Sequence, residues 1–174
     1  MRLLTFLNTS GWKNAILGGW EMNNVTLLET GPDLTPGISD SYDQSNTNVV
    51  NRGVYLRPDQ VSANLYPGQS RAHYFNLAAF SPTPAGAGRF GNAGVGILEG
   101  PGTAAASLGL AMVFNLGEKV RLRLESTFTN VFNHTNFPPP AAQIDNPTFG
   151  VLSAGQTAES AGNRTGQLAL RVEF

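Results

Sequence analysis

The residues able to do chemistry are few and scattered. His73 and His134 are the two histidines of the chain, and neither has a cysteine or a close carboxylate cluster in its company. A metal centre needs several converging ligands, so both are expected to be structural or solvated. Asp40-Ser41-Tyr42-Asp43-Gln44-Ser45-Asn46 offers oxygens to a Ca²⁺ ion, yet has neither the spacing nor the terminal bidentate Glu of an EF-hand loop. Gly86-Ala87-Gly88-Arg89-Phe90-Gly91 has the glycines of a phosphate cradle. No strand of a βαβ unit leads into it, so turn formation is the expected role. Arg121, Arg123 and Glu125 stand at alternate positions and share a face if their segment is a strand. No nucleophile–base pair emerges. Neither enzyme activity nor a bound metal or cofactor is expected.

Composition narrows the class. Charged residues make up 13% of the 174, against roughly 25% in ordinary globular domains. The net charge of -1 gives no electrostatic footing for nucleic acid. Cysteine is absent, which removes disulfides, thiolate metal sites and Cys nucleophiles together. There is no apolar run of about 18 residues or more, so no transmembrane helix is expected. Met1-Arg2-Leu3-Leu4-Thr5-Phe6-Leu7 begins like a signal peptide, but its apolar run is short and no small-x-small cleavage site follows. An exported protein without a leader is expected to be a truncated one.

Period-two patterning marks four strands. They cover about residues 17–29, 104–116, 120–132 and 165–174. In the second, Ala106, Leu108, Leu110, Met112, Phe114 and Leu116 oppose Ala105, Ser107, Gly109, Ala111 and Asn115. In the third, Val120, Leu122, Leu124 and Phe128 oppose Arg121, Arg123, Glu125, Thr127 and Thr129. The last alternates strictly and places Leu168, Leu170, Val172 and the terminal Phe174 on one side. Such an ending is how the closing strand of an outer-membrane β-barrel reads, and in that class it resembles the signal taken up by the β-barrel assembly machinery. The first strand, opened by Gly18-Gly19-Trp20, alternates imperfectly.

The connections are unequal. Gly117-Glu118-Lys119 makes a tight hairpin. Roughly seventy residues separate the first two strands and about thirty the last two. With the hairpin in the periplasm, both long connections fall outside and Phe174 ends inside, the short-turn and long-loop arrangement of outer-membrane barrels. Trp20, Phe114 and Phe174 then lie near the periplasmic rim and Phe128 and Phe132 near the outer one, with leucines between, as in an aromatic-girdled wall facing lipid. Reversing the third strand would aim Arg121, Arg123 and Glu125 into hydrocarbon, at ~2–4 kcal/mol for each basic residue near the midplane. The charged face is therefore expected to line the lumen as a hydrated, mutually paired wall. The fold expected is all-β: antiparallel up-and-down strands forming an incomplete portion of a transmembrane β-barrel with long loops.

A run of further motifs carries a resemblance. Gly18-Gly19-Trp20-Glu21-Met22 opens a strand, and Tyr74-Phe75-Asn76-Leu77-Ala78-Ala79-Phe80 lies in the long connection. Gly88-Arg89-Phe90-Gly91-Asn92-Ala93-Gly94 and Gly100-Pro101-Gly102 follow. Then come Thr129-Asn130-Val131-Phe132-Asn133-His134-Thr135-Asn136-Phe137, Asn146-Pro147-Thr148-Phe149-Gly150 and the terminal strand. In this order, over about residues 18–174, the chain resembles the C-terminal end of TonB-dependent outer-membrane transporters, specifically the Oar-like receptors. The resemblance implies an outer-membrane address in a Gram-negative bacterium and energy-coupled uptake of a large or scarce substrate. It implies contact with outer-membrane lipid and the assembly machinery, and with the TonB complex only through a plug that this chain lacks. Residues 1–174 are accordingly expected to be a single C-terminal barrel fragment. The competing reading is a soluble secreted β-sandwich, an adhesin or carbohydrate-binding module. It would need about seven strands at closer spacing.

Overall fold

The computed structural model describes residues 19–39, 41, 43, 44, 46, 48, 56–84, 86–117, 119–153, 155, 156 and 161–174. Eight strands appear in chain order: β1 (Trp20–Glu29), β2 (Asp33–Leu34), β3 (Asp59–Gln60), β4 (Phe80–Ser81), β5 (Leu98–Glu99), β6 (Thr103–Leu116), β7 (Val120–Thr129) and β8 (Thr165–Glu173). The described residues contain no α-helix, and a 3-10 turn covers Leu77–Ala79. The fold is all-β and antiparallel in its named strands. Contacts divide it into two compact units.

The first unit takes in residues 1–29, 103–136 and 156–174. Its heart is a 4-stranded sheet in the order β1-β6-β7-β8, antiparallel at every pairing. The strands of 9 and 10 residues match the ~9–11 that a tilted strand needs to cross a bilayer. The register fixes the rows. Trp20, Met112, Leu124 and Leu170 lie side by side on one face, and Met22, Leu110, Ser126 and Leu168 form the next row. Met112 and Ala106 on β6 are buried, but much of this apolar face lies open: Leu168 is 75% exposed, Leu170 64% and Phe174 100%. Leucines left open to this degree are costly in water and natural in hydrocarbon.

Two details of the ladder depart from the sequence pattern. The third strand, expected to run to Phe132, stops at Thr129, because Asn130 turns into the left-handed region at φ 45°. Asn tolerates that conformation far better than the branched residues around it. In β1 the register puts Asn24 and Thr26 on the apolar face and Val25 and Leu27 on the charged one, which is why its alternation reads as imperfect. The misplaced polar groups satisfy each other: Thr26 Oγ1 donates to Asn24 Oδ1 at 2.9 Å, and Asn24 Nδ2 donates to the Ser107 carbonyl at 3.3 Å.

The second unit takes in residues 30–102 and 137–155, stretches that lack regular alternation. They are not merely loops. Ile38, Leu56, Phe75, Ala79, Phe80, Ala93, Leu98, Ile144 and Phe149 form a buried core. Phe75 meets Tyr66, Tyr74 and Phe149 with ring centroids 6.1, 5.3 and 5.9 Å apart. Each large side chain buried this way contributes about 1.5–3 kcal/mol. Short ladders close it, β2 with β5 and β3 with β4, with isolated bridges from Gly37 to Gln143 and from Ile38 to Leu56.

Gly166 on β8 is paired in register with Phe128 on β7, and a Cβ there would lie 2.7 Å from Phe128 Cε1. The ring lies over the glycine and covers backbone that a side chain would otherwise shield. Gly166→Ala is expected to destabilise the sheet by about 1 kcal/mol, and to cost much less in a Phe128→Ala background. Denaturant unfolding of the four members of this double-mutant cycle in detergent micelles checks it. Additive losses would remove the packing explanation.

Candidate functional site

Arg121, Arg123 and Glu125 share the face opposite the apolar rows. Their cross-strand partners are Asn115, Val113 and Ala111 on β6 and Glu173, Arg171 and Ala169 on β8. Arg123 is the hub: its Nε donates to Glu125 Oε1, and its Nη2 donates to Glu21 Oε2 of β1 at 3.3 Å. One guanidinium thus ties β7 to β1 across the intervening β6. The mutual pairing anticipated from sequence exists for Arg123 and Glu125. Glu21 joins them through strand order, which no local pattern reveals.

At the end of the sheet remote from the hairpin, two asparagines hold the strands together. Asn130 is 2% exposed and Asn136 1%. Asn130 Nδ2 donates to the His134 and Gly162 carbonyls at 2.7 and 2.5 Å, and its Oδ1 accepts from the His134 N–H at 3.1 Å. Asn136 behaves as a spare peptide group at the start of β6. Its Oδ1 accepts from Ala104 N at 2.8 Å, and its Nδ2 donates to the Ala104 and Ala161 carbonyls at 3.0 and 2.5 Å. A buried amide must be bonded or be costly, and these two spend their capacity on backbone that precedes β8. His134 contributes its backbone and a ring nitrogen 3.1 Å from Asn136 Oδ1. It is a structural histidine.

Within the second unit, Asp59 and Arg89 form a bidentate pair, both contacts at 2.7 Å. The Arg89 guanidinium holds the Asp59 carboxyl below its usual range. Asp59 also accepts from Asn92 N–H at 3.2 Å, and Asn92 Oδ1 accepts from Gln60 N–H at 2.6 Å. This knot is what the Gly-rich segment builds. Gly91 is wedged where a Cβ would lie 2.1 Å from the Arg57 carbonyl oxygen, while Gly86 and Gly88 take positive φ in open space, so the segment is a turn packed tightly at its end. His73 lines a cleft of about 500 Å³ with Asn76, Leu77, Asp145, Asn146 and Pro147. Among the described residues no group of His, Cys, Asp or Glu could hold a metal ion. Asp40, Tyr42 and Ser45 of the candidate Ca²⁺ segment lie outside the described residues.

Reasoning from sequence did not find Asn130, Asn136 or the core of the second unit. The asparagines sit in the Thr129–Phe137 motif, but nothing local shows that their partners are Ala104, Ala161 and Gly162.

A single antiparallel layer, with exposed leucines on one face and ion-paired arginine on the other, defines the wall of a membrane-spanning β-barrel. The family scan gives the same answer: the model described as "Outer membrane beta barrel domain" matches residues 2–167. The chain belongs to the outer membrane beta-barrel domain family, and its place is the outer membrane of Gram-negative bacteria. No curated protein and no solved structure matches it. The long strands form one sheet, not the two facing sheets of a soluble sandwich.

Asn136→Ala removes its three bonds to backbone and its contact with the His134 ring, and strands both backbone groups of Ala104. It is expected to cost about 2–3 kcal/mol, read as a lower denaturant midpoint in micelles with faster proteolysis between residues 130 and 164. Cleavage and midpoint like those of the unaltered chain would deny the clamp its role.

Proposed function

We propose that this chain is the C-terminal barrel segment of a TonB-dependent transporter of the Oar-like kind, serving energy-coupled uptake of a large or scarce substrate. The observation that carries the reading is the fate of the resembling motifs. Phe75, Ala79 and Phe80 come from one of them, Ala93 from another and Phe149 from a third, and all five converge on the same core. Asn130 and Asn136, from a fourth, form the clamp. Short motifs strewn along the sequence thus act as parts of one construction.

In this reading the Gly117–Lys119 hairpin and Phe174 face the periplasm. Trp20, Phe114 and Phe174 mark the inner rim, and Phe128 and Phe132 the outer. Arg121, Arg123 and Glu125 look into the channel, where water solvates what their partners leave open. Lipid meets the other face. The TonB complex would be reached only through a plug belonging to the same transporter, and Leu168, Leu170, Val172 and Phe174 would be the strand that the assembly machinery reads.

Two experiments test the reading. In the gene that encodes this chain, an in-frame plug segment upstream is expected, with photo-crosslinking of the resulting protein to TonB in energised cells. A reading frame without a plug would overturn the transporter reading while leaving the barrel intact. Phe174→Ser is expected to reduce the protein inserted in outer membranes several-fold, measured by membrane fractionation and heat-modifiable migration. Undiminished insertion would exclude an assembly role for the terminal aromatic.

A further inference from the structure

The charged face holds more basic groups than it pairs. Arg171 on β8 stands directly opposite Arg123 in the ladder, and like charges so placed repel. Arg123 is held by Glu125 and Glu21, both farther from the hairpin. Arg121, nearer the hairpin, is in register with Glu173. Among the described residues, neither Arg121 nor Arg171 makes an ion pair or a side-chain hydrogen bond, and Glu173 makes no ion pair. Arg121 and Arg171 are diagonal neighbours on adjacent strands, about 7–8 Å apart and within reach of long side chains.

We propose that Arg121 and Arg171 form an oxyanion site on this wall, occupied by a small phosphate-bearing solute. The inference rests on the reading that this face lines the channel. Two guanidinium forks that make no ion pair among the described residues suit a phosphate, which carries about −1.5 to −2 at neutral pH and offers three acceptor oxygens. Planar forks grip such oxygens through paired N–H donors. Arg123 is a poorer candidate, because Glu125 and Glu21 already neutralise its charge. Glu173 shares the face and opposes the anion, so it weakens the site without filling it.

The test is equilibrium dialysis of the full chain in phosphate-free detergent micelles against radiolabelled inorganic phosphate, at about 0.1 M NaCl to screen diffuse attraction. Saturable binding is expected, weakened about tenfold or more in R121Q/R171Q, partly kept in R121K/R171K, and tightened in Glu173→Gln. Circular dichroism confirms that each variant keeps its sheet. Absence of saturable binding, or binding unchanged in R121Q/R171Q, would overturn the site. Displacement of phosphate by a far lower concentration of a hexaglutamate peptide would replace the small solute with an acidic protein segment. Because TonB and an energy source play no part in the measurement, a negative result leaves the transporter reading standing. A missing TonB link, in turn, leaves this site untouched.

Discussion

Hydrocarbon offers a peptide group no water, so every N–H and C=O carried into a bilayer must find its partner on a neighbouring strand. The sheet of the first unit is organised around that demand. β6 and β7 are paired on both sides, and the ladder between them runs unbroken from Leu108–Phe128 to Leu116–Val120. β1 and β8 are each paired on one side among the described residues. Each outer edge leaves a row of backbone groups open to a further strand. Even the apolar face obeys the rule: Asn24 and Thr26, the polar intruders of β1, bond to each other and to the Ser107 carbonyl.

Once the ladder is fixed, side-chain alternation sorts the rest. Leucines that a soluble protein would hide lie open on one face, and the ionic residues are gathered on the other. Where the ladder ends, backbone groups need substitutes, and Asn130 and Asn136 supply them. Their amides imitate a peptide bond for Ala104 of β6, where β7 no longer reaches it, and for chain on the way into β8. The same economy governs the second unit, where Asn76 caps the 3-10 turn by accepting from Ala78 N–H at 3.1 Å. There Asn146 Oδ1 accepts from Thr148 N–H and Oγ1–H at 2.9 and 2.8 Å.

How much of this was readable from residues alone follows from which forces are local. β6, β7 and β8 announce themselves, since their alternation is set by the two sides of one strand. β7 was read too far because Val131 and Phe132 are good strand formers, whereas the break depends on the backbone of Asn130. The face shared by Arg121, Arg123 and Glu125 was legible, but the contributions of Glu21 and Arg171 were not, since they arrive through strand order. The second unit stayed hidden for a similar reason. Ile38, Leu56, Phe75, Leu98, Ile144 and Phe149 follow no period, and each is core only because of residues far along the chain.

That second unit is built from two pieces, residues 30–102 and 137–155, with the whole of β6 and β7 between them in the chain. Ile144 and Phe149 belong to its core, and the bridge from Gly37 runs to Gln143. The first piece alone has an apolar centre that it cannot seal, and it stays unfinished until the stretch beyond the hairpin packs against it. Contacts of such long sequence separation form late and slowly. A chain ending at Leu116 would therefore hold an exposed, sticky half-core, since Ile144 and Phe149 would be missing from it.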